Sequence, residues 1–205
     1  MDKLEEFHYF VTPIYAIKVP QFLDSVRKIA LLHLEISRAP ENNAMTVMTG
    51  NFSYEAEIEE FSQYVSQTTW NILSAQGYNM EPLVTFFNEM WCQEHNFQSA
   101  IDTHIHGSGS NMSAFYFLDM PAGACKMIIH DPRPAKVITN LPMKDDTKIS
   151  MGSNQVMFSP EVGTLVFAPP WLPHQFTRNN STDPVRFVHM NLGVAPAPQP
   201  EVEII

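Results

Sequence analysis

Apolar residues recur along this chain with two different periods, and the change between them divides it near Pro82. From Gln21 to Arg38, the residues Phe22, Val26, Ile29, Leu32 and Ile36 return at helical spacing, behind a proline suited to a first turn. Ser53, followed by Glu55 to Glu60, predicts the cap and acidic first turns of a second helix that runs to about Ser74 and stops at Gly77. Ahead of both, residues 7–19 are rich in aromatic and β-branched types and read as an opening strand, and Pro40 to Gly50 read as a loop. Beyond Pro82 short runs of strand formers arrive between Gly, Pro, Asn and Asp. Strands are expected at about 83–95, 99–106, 112–119, 124–130, 134–140, 147–157, 164–168, 173–178 and 185–192. That density predicts a mainly β fold with N-terminal helices, as a sandwich or jelly roll.

Composition narrows this picture. At 205 residues, with 44% hydrophobic and 17% charged, the chain is sized for one domain with a sizeable core. We divide it into strand-plus-helical support over 1–80, a barrel core over 81–193 and an extended tail over 194–205. Sixteen prolines against eight glycines suit short strands and fixed turns. A formal net charge of −10 disfavours a nucleic-acid groove. Cys92 and Cys125 lie in no CxxC-like spacing, so reduced thiols in a cytoplasm are the expectation. No run approaches a membrane span, and the acidic start Met-Asp-Lys-Leu-Glu-Glu-Phe lacks the apolar stretch of a signal peptide.

The chemistry begins with His104-Ile105-His106. Two histidines two apart on a strand project from one face, joined there by Asp102, and neutral imidazole is a ready ligand for transition metals. His174 ends a proline-punctuated run after Gly163 and the buried-strand sequence Leu165-Val166-Phe167, and would supply a third corner. The plainer alternative makes all three satisfied core or loop histidines.

Arg186 opens Arg-Phe-Val-His-Met-Asn-Leu, where Arg186, Val188 and Met190 share one face and Phe187, His189 and Asn191 the other. If the first face points into the barrel, a guanidinium is buried with no evident acidic partner, and a bound carboxylate would compensate it. A surface arginine on an edge strand is the bland alternative.

Five segments carry a family resemblance: Trp91 through Asp102-Thr-His-Ile-His106-Gly-Ser108, Ser113-Ala-Phe-Tyr-Phe-Leu118, Ile129-His-Asp-Pro-Arg-Pro134, Gly163 through Trp171-Leu-Pro-His174, and Arg186 through Asn191. In this order they resemble the 2-oxoglutarate- and iron(II)-dependent oxygenase family, in which a His-x-His block precedes a Ser-Gly-x-Tyr-Tyr strand. Phage-encoded members are similar in texture. The match covers about residues 88–192, with a weaker echo in Thr12-Pro13-Ile14-Tyr15.

The resemblance implies a double-stranded β-helix barrel with Fe(II) at its mouth, and 2-oxoglutarate and O2 as cosubstrates. His104 and His174 would be iron ligands. Arg186 would hold the far carboxylate of 2-oxoglutarate, with Tyr116 or Ser113 as hydroxyl partners. The usual facial set is two histidines and one carboxylate, and here the carboxylate position holds His106. That leaves His106 as third ligand, or a carboxylate from Asp131 or, by a shift of register, Asp102; we favour His106 because it keeps the strand geometry. Trp91, Phe115, Phe117 and Trp171 are candidate pocket walls or ordinary core. The rival readings are a cupin-type metalloenzyme without 2-oxoglutarate and a non-catalytic β-sandwich module. The glutamate a cupin places after its histidine pair is absent, since Gly109 and Ser110 stand there. The primary substrate is not legible, and residues 20–77 would form a lid or a homodimer face.

Overall fold

The computed structural model describes residues 4–38, 45–139 and 141–198. Twelve elements follow in order: β1 Tyr15–Lys18, α1 Leu23–Ser37, β2 Thr46–Met48, α2 Glu59–Ala75, β3 Leu83–His95, β4 Ile101–His104, β5 Met112–Asp119, β6 Met127–His130, β7 Gln155–Phe158, β8 Thr164–Ala168, β9 His174–Phe176 and β10 Val185–Pro196. The strands form two antiparallel sheets, a large one ordered β1-β8-β5-β10-β3-β2 and a small one ordered β4-β9-β6-β7. Consecutive strands often lie in different sheets, as expected where the chain wraps a double-stranded β-helix.

Alternation along the strands sorts side chains into two cores. Met112, Ala114, Tyr116 and Leu118 of β5 join Val188, Met190 and Leu192 of β10 in a core that includes Val26 and Leu34 of α1 and Phe61 and Val65 of α2. Both helices therefore cover the outer face of the large sheet. Phe115 and Phe117, one residue out of phase, join Phe187, Phe176, Met127 and Ile129 between the sheets. Each such fully buried aromatic or aliphatic side chain stabilises the fold by roughly 1.5–3 kcal/mol relative to exposure.

Several expectations change. The opening strand is confined to Tyr15–Lys18, and residues 7–14 form no helix or strand. Ser53 does not cap α2: a 3-10 turn over Ala56–Ile58 leads into that helix without a side-chain cap, and the Ser53 N–H bonds to Asn51 Oδ1 instead. At the other end Gly77, at φ +98, terminates α2 in the left-handed conformation expected of a helix-stopping glycine. Within the supposed loop 40–50, Thr46–Met48 pair with β3 as an edge strand, whereas residues 39–44 lie outside the described set. Pro134–Ile138 form a 3-10 turn where a strand was expected, because Pro134 and Lys136 favour the tight turn that Asp131 anchors. Of 147–157 only the end is strand, since Asp145, Ser150 and Ser153 bond to nearby backbone and make turns. The start of the expected tail continues β10, with Val194 to Pro196 paired to Thr85 through Leu83; residues 199–205 lie outside the described set.

Candidate metal centre

Strand pairing brings the histidines together. His104, the last residue of β4, lies directly opposite His174, the first of β9. β4 ends at His104, so His106 is held instead by its own N–H bonding to Pro170 O at 2.9 Å, in the proline run just before β9. The following loop folds down on β10 at Gly193. A Cβ there would meet Phe86 Cζ at 2.6 Å and Gly109 O at 3.0 Å, so only glycine allows this approach.

Among the described residues, His104, His106 and His174 form the one group whose ligand atoms can jointly hold a metal ion, all within 4.8 Å of one another. No carboxylate of a described residue joins them. His104 Nδ1 bonds to Asp102 O at 2.8 Å and His174 Nδ1 to Leu172 O at 2.9 Å. Each bond to a carbonyl places the proton on Nδ1 and leaves the Nε2 lone pair free, the arrangement by which proteins orient metal-bound imidazole. His106 Nε2 and His174 Nε2 stand 3.2 Å apart. Two metal–nitrogen bonds of about 2.1 Å meeting at 90–110° would set their nitrogens roughly 3.0–3.4 Å apart, so the spacing fits a single ion. Burial, then the neighbouring histidines, pushes His106 down to about 4, and burial does the same to His174, so both imidazoles are neutral ligands near pH 7.

The histidines open onto a cleft of about 690 Å³ lined by Trp91, Gln93, Asn191 and the loop 105–110. Asn191 connects the cleft to the strands behind it. Its Nδ2 lies 3.3 Å from His106 Nδ1, and its Oδ1 accepts a hydrogen bond from Ser113 Oγ at 3.0 Å. Because a hydroxyl donates or accepts equally well, the Asn191 amide can turn over and accept from His106 Nδ1–H when that ring's Nε2 takes a metal.

Of the expected cosubstrate residues, the structure brings none directly to the histidines. Arg186 lies on the helix side of the large sheet, donating from Nε to Glu94 Oε2 at 2.6 Å and from Nη1 to Asp119 Oδ2 at 3.0 Å. The acidic partners looked for in sequence exist. They sit on β3 and β5 in register with Arg186, a pairing that only the assembled sheet reveals. Tyr116 points to the same outer side and donates to Val19 O at 2.8 Å. Ser113 faces inward, but its hydroxyl serves Asn191.

The alternative carboxylates are placed elsewhere. Asp131 is bound by Arg133 at 2.7 Å and Lys136 at 3.0 Å, and these hold it well below the usual carboxylate range. Asp102 lines the cleft with an exposed side chain, and only its backbone carbonyl reaches His104. Of the four candidate wall residues, Trp91 lines this cleft, Phe115 and Phe117 are buried core, and Trp171 is half exposed on a different surface.

Sequence reasoning passed over four polar residues behind the cleft. His189 is 1% exposed and stacks on Trp91 at 4.2 Å between ring centroids. Its Nδ1 lies 3.4 Å from Gln93 Nε2, Gln93 Oε1 lies 3.2 Å from His95 Nε2, and His95 Nδ1 lies 3.3 Å from Ser99 Oγ. The signal was available: Gln93 and His95 alternate along β3 on the inward phase, facing Phe187 and Val185 of β10.

Residues 89–188, just under half of the chain, match the sequence profile of the family described as putative 2OG-Fe(II) oxygenase. A search of curated protein sequences finds no match. Among solved structures, the chain resembles the non-heme alpha ketoglutarate dependent carbocyclase SnoK from nogalamycin biosynthesis, with a TM-score of 0.63 at 12% identity over 89% of this chain and 79% of that one. It also resembles HygX from Streptomyces hygroscopicus, solved with nickel and 2-oxoglutarate bound (TM-score 0.58, 11% identity, 89% and 83% covered). A prolyl-4-hydroxylase from Pseudomonas putida gives a TM-score of 0.57 at 8% identity, with 88% and 92% covered. At such identities the likeness is one of fold, the double-stranded β-helix. The profile match, the fold likeness and the histidine trio all point the same way, to a similarity with the putative 2OG-Fe(II) oxygenase family, whose members use Fe(II) and 2-oxoglutarate.

Proposed function

We propose that His104, His106 and His174 hold Fe(II), and that the chain acts as one oxygenase domain coupling decarboxylation of 2-oxoglutarate to hydroxylation of a primary substrate. In the balanced reaction, 2-oxoglutarate, O2 and a C–H bond give succinate, CO2 and an alcohol. The observation that carries this reading is the trio itself, three imidazoles whose ligand atoms all lie within 4.8 Å of one another beside a cleft that His104 and His106 line.

Bound there, Fe(II) supplies the oxidising chemistry, and the chain's residues set its surroundings. The backbone carbonyls of Asp102 and Leu172 fix the ring orientation of His104 and His174. Asn191 and Ser113 do the same for His106. Three neutral ligands leave the full charge of a divalent ion, which balances the two carboxylates of 2-oxoglutarate. Phe115, packed edge-on to His174 at 5.3 Å, keeps water from the buried side. A cytoplasmic setting belongs to this reading, supported by two buried, unpaired cysteines. Among the described residues no helix is long and apolar enough to cross a membrane.

The test is anaerobic loading with Fe(II), addition of 2-oxoglutarate and admission of O2, with succinate measured by mass spectrometry. Succinate formed by wild type and absent in His174→Ala is the expected result. Succinate at the no-enzyme level from iron-loaded wild type would overturn the assignment.

A further inference from the structure

Two observations about charge lead to the same place. Arg186 is consumed by Glu94 and Asp119 on the far side of the large sheet. Among the described residues lining the cleft beside the histidines there is no lysine or arginine. A dicarboxylate bound at this metal therefore meets no cationic side chain among them, and the structure contains a neutral donor behind the cleft wall that is unused.

That donor is His189. Gln93 fixes its tautomer through a directed chain of hydrogen bonds buried from end to end. His95 Nε2 faces the acceptor Gln93 Oε1, so it carries the proton, and its Nδ1 accepts from Ser99, whose hydroxyl is in turn bonded to Thr46. Gln93 then presents its amide N–H to His189 Nδ1. With Nδ1 accepting, the remaining proton of a neutral His189 sits on Nε2. That atom is buried and has no hydrogen-bond partner. An orphaned buried N–H is costly, and a chain of residues enforcing one is a poor arrangement for stability alone. The ring is bordered by Trp91, His106 at 4.4 Å between centroids, and Asn191 two residues along β10. With Gln93, these are all residues of the cleft wall, and the His189 ring lies directly behind them.

We propose that His189 Nε2–H, held by the Ser99–His95–Gln93 relay, seats the carboxylate of 2-oxoglutarate that does not chelate the metal, in place of an arginine. The positive charge such an arginine would bring is retained at the metal, because His106 replaces an anionic ligand. The inference rests on the function proposed above and goes beyond it by naming a cosubstrate-binding residue.

The test is anaerobic calorimetric titration of the Fe(II)-loaded protein with 2-oxoglutarate and, separately, with pyruvate, which keeps the 2-oxo acid and lacks the second carboxylate. His189→Phe preserves ring volume and removes the donor. The expected result is at least tenfold weaker 2-oxoglutarate binding, pyruvate binding within about twofold of wild type, and unchanged iron content. Gln93→Met, which releases the tautomer without touching the ring, is expected to weaken 2-oxoglutarate several-fold in the same selective way, and it carries the test if His189→Phe does not fold. Equal loss for both ligands, or no loss for either, would overturn the role of His189. Wild type that binds iron but not 2-oxoglutarate would instead remove the function on which the role rests.

Discussion

The two faces of the large sheet treat polar groups in opposite ways. On the outer face, under the helices, charge is met with charge: Arg38 and Arg186 share Glu94, and Arg186 and Arg27 share Asp119. Glu94 is 3% exposed at its side chain. Burial alone would raise its pKa, but hydrogen bonds from Arg38 and Arg186 prevail and hold it below the ordinary carboxylate value. On the inner face the polar groups of β3 and β10, Gln93, His95, His189 and Asn191, are uncharged near neutral pH and retain spare donors or lone pairs. The outer network pairs each carboxylate with two arginines and ties α1 to β3, β5 and β10. On the inner side one donor, His189 Nε2, is left without a partner, the group to which the proposed cosubstrate role is given.

Substitutions that respect this division separate the two roles. The largest effect is expected from His174→Ala, which removes one of three ligands: iron retained after desalting, measured by mass spectrometry, falls to background, with the melting temperature of the metal-free protein little changed. Next is Glu94→Gln on the outer face, which leaves Arg186 and Arg38 short of a compensating charge. It should destabilise the protein by about 3–5 kcal/mol in urea unfolding, while iron binding by the folded protein stays as in wild type. Arg186→Met should likewise lower stability and leave 2-oxoglutarate affinity within about twofold, whereas a selective loss of affinity would return this arginine to the cosubstrate site.

Asn191→Leu removes the partner that orients His106 and should weaken iron binding by about 10–100-fold, read by competition with a chelator. The most gradual effect is on acid stability. Burial pushes His95 down to about 4 from an ordinary 6.5, so the folded state keeps it neutral while the unfolded chain takes up a proton. The stability this provides is fully present above pH 6.5 and declines as pH falls toward 4. The slope is at most about 1.4 kcal/mol per pH unit, seen as a falling urea midpoint that His95→Gln should flatten.

The same division explains what was legible in the sequence. Long periodic segments, α1, α2, β3, β5 and β10, stand close to where alternation and helical spacing predict them, because each buries a continuous face. The histidine cluster was legible because His104 and His106 lie two apart and His174 opens a strand of its own, although it is the pairing of β4 with β9 that brings them together. Arg186 was not. Its strand phase was read correctly, but which face of β10 meets the helices depends on packing between distant segments, as do its partners on β3 and β5. The relay was half legible: Gln93 and His95 alternate along β3, but His189 meets Gln93 only across the β10–β3 ladder. The errors at 134–140 and 147–157 came from local turn chemistry at Asp131, Asp145 and Ser150, which overrides strand propensity.

The central claim is a metal held by three imidazoles and no protein carboxylate. X-ray absorption spectroscopy of the anaerobic Fe(II)-loaded protein, before any cosubstrate is added, reads that ligand set directly. The account predicts multiple-scattering from three imidazoles in wild type and two in His106→Ala. Two imidazoles in wild type, unchanged on replacing His106, would contradict it.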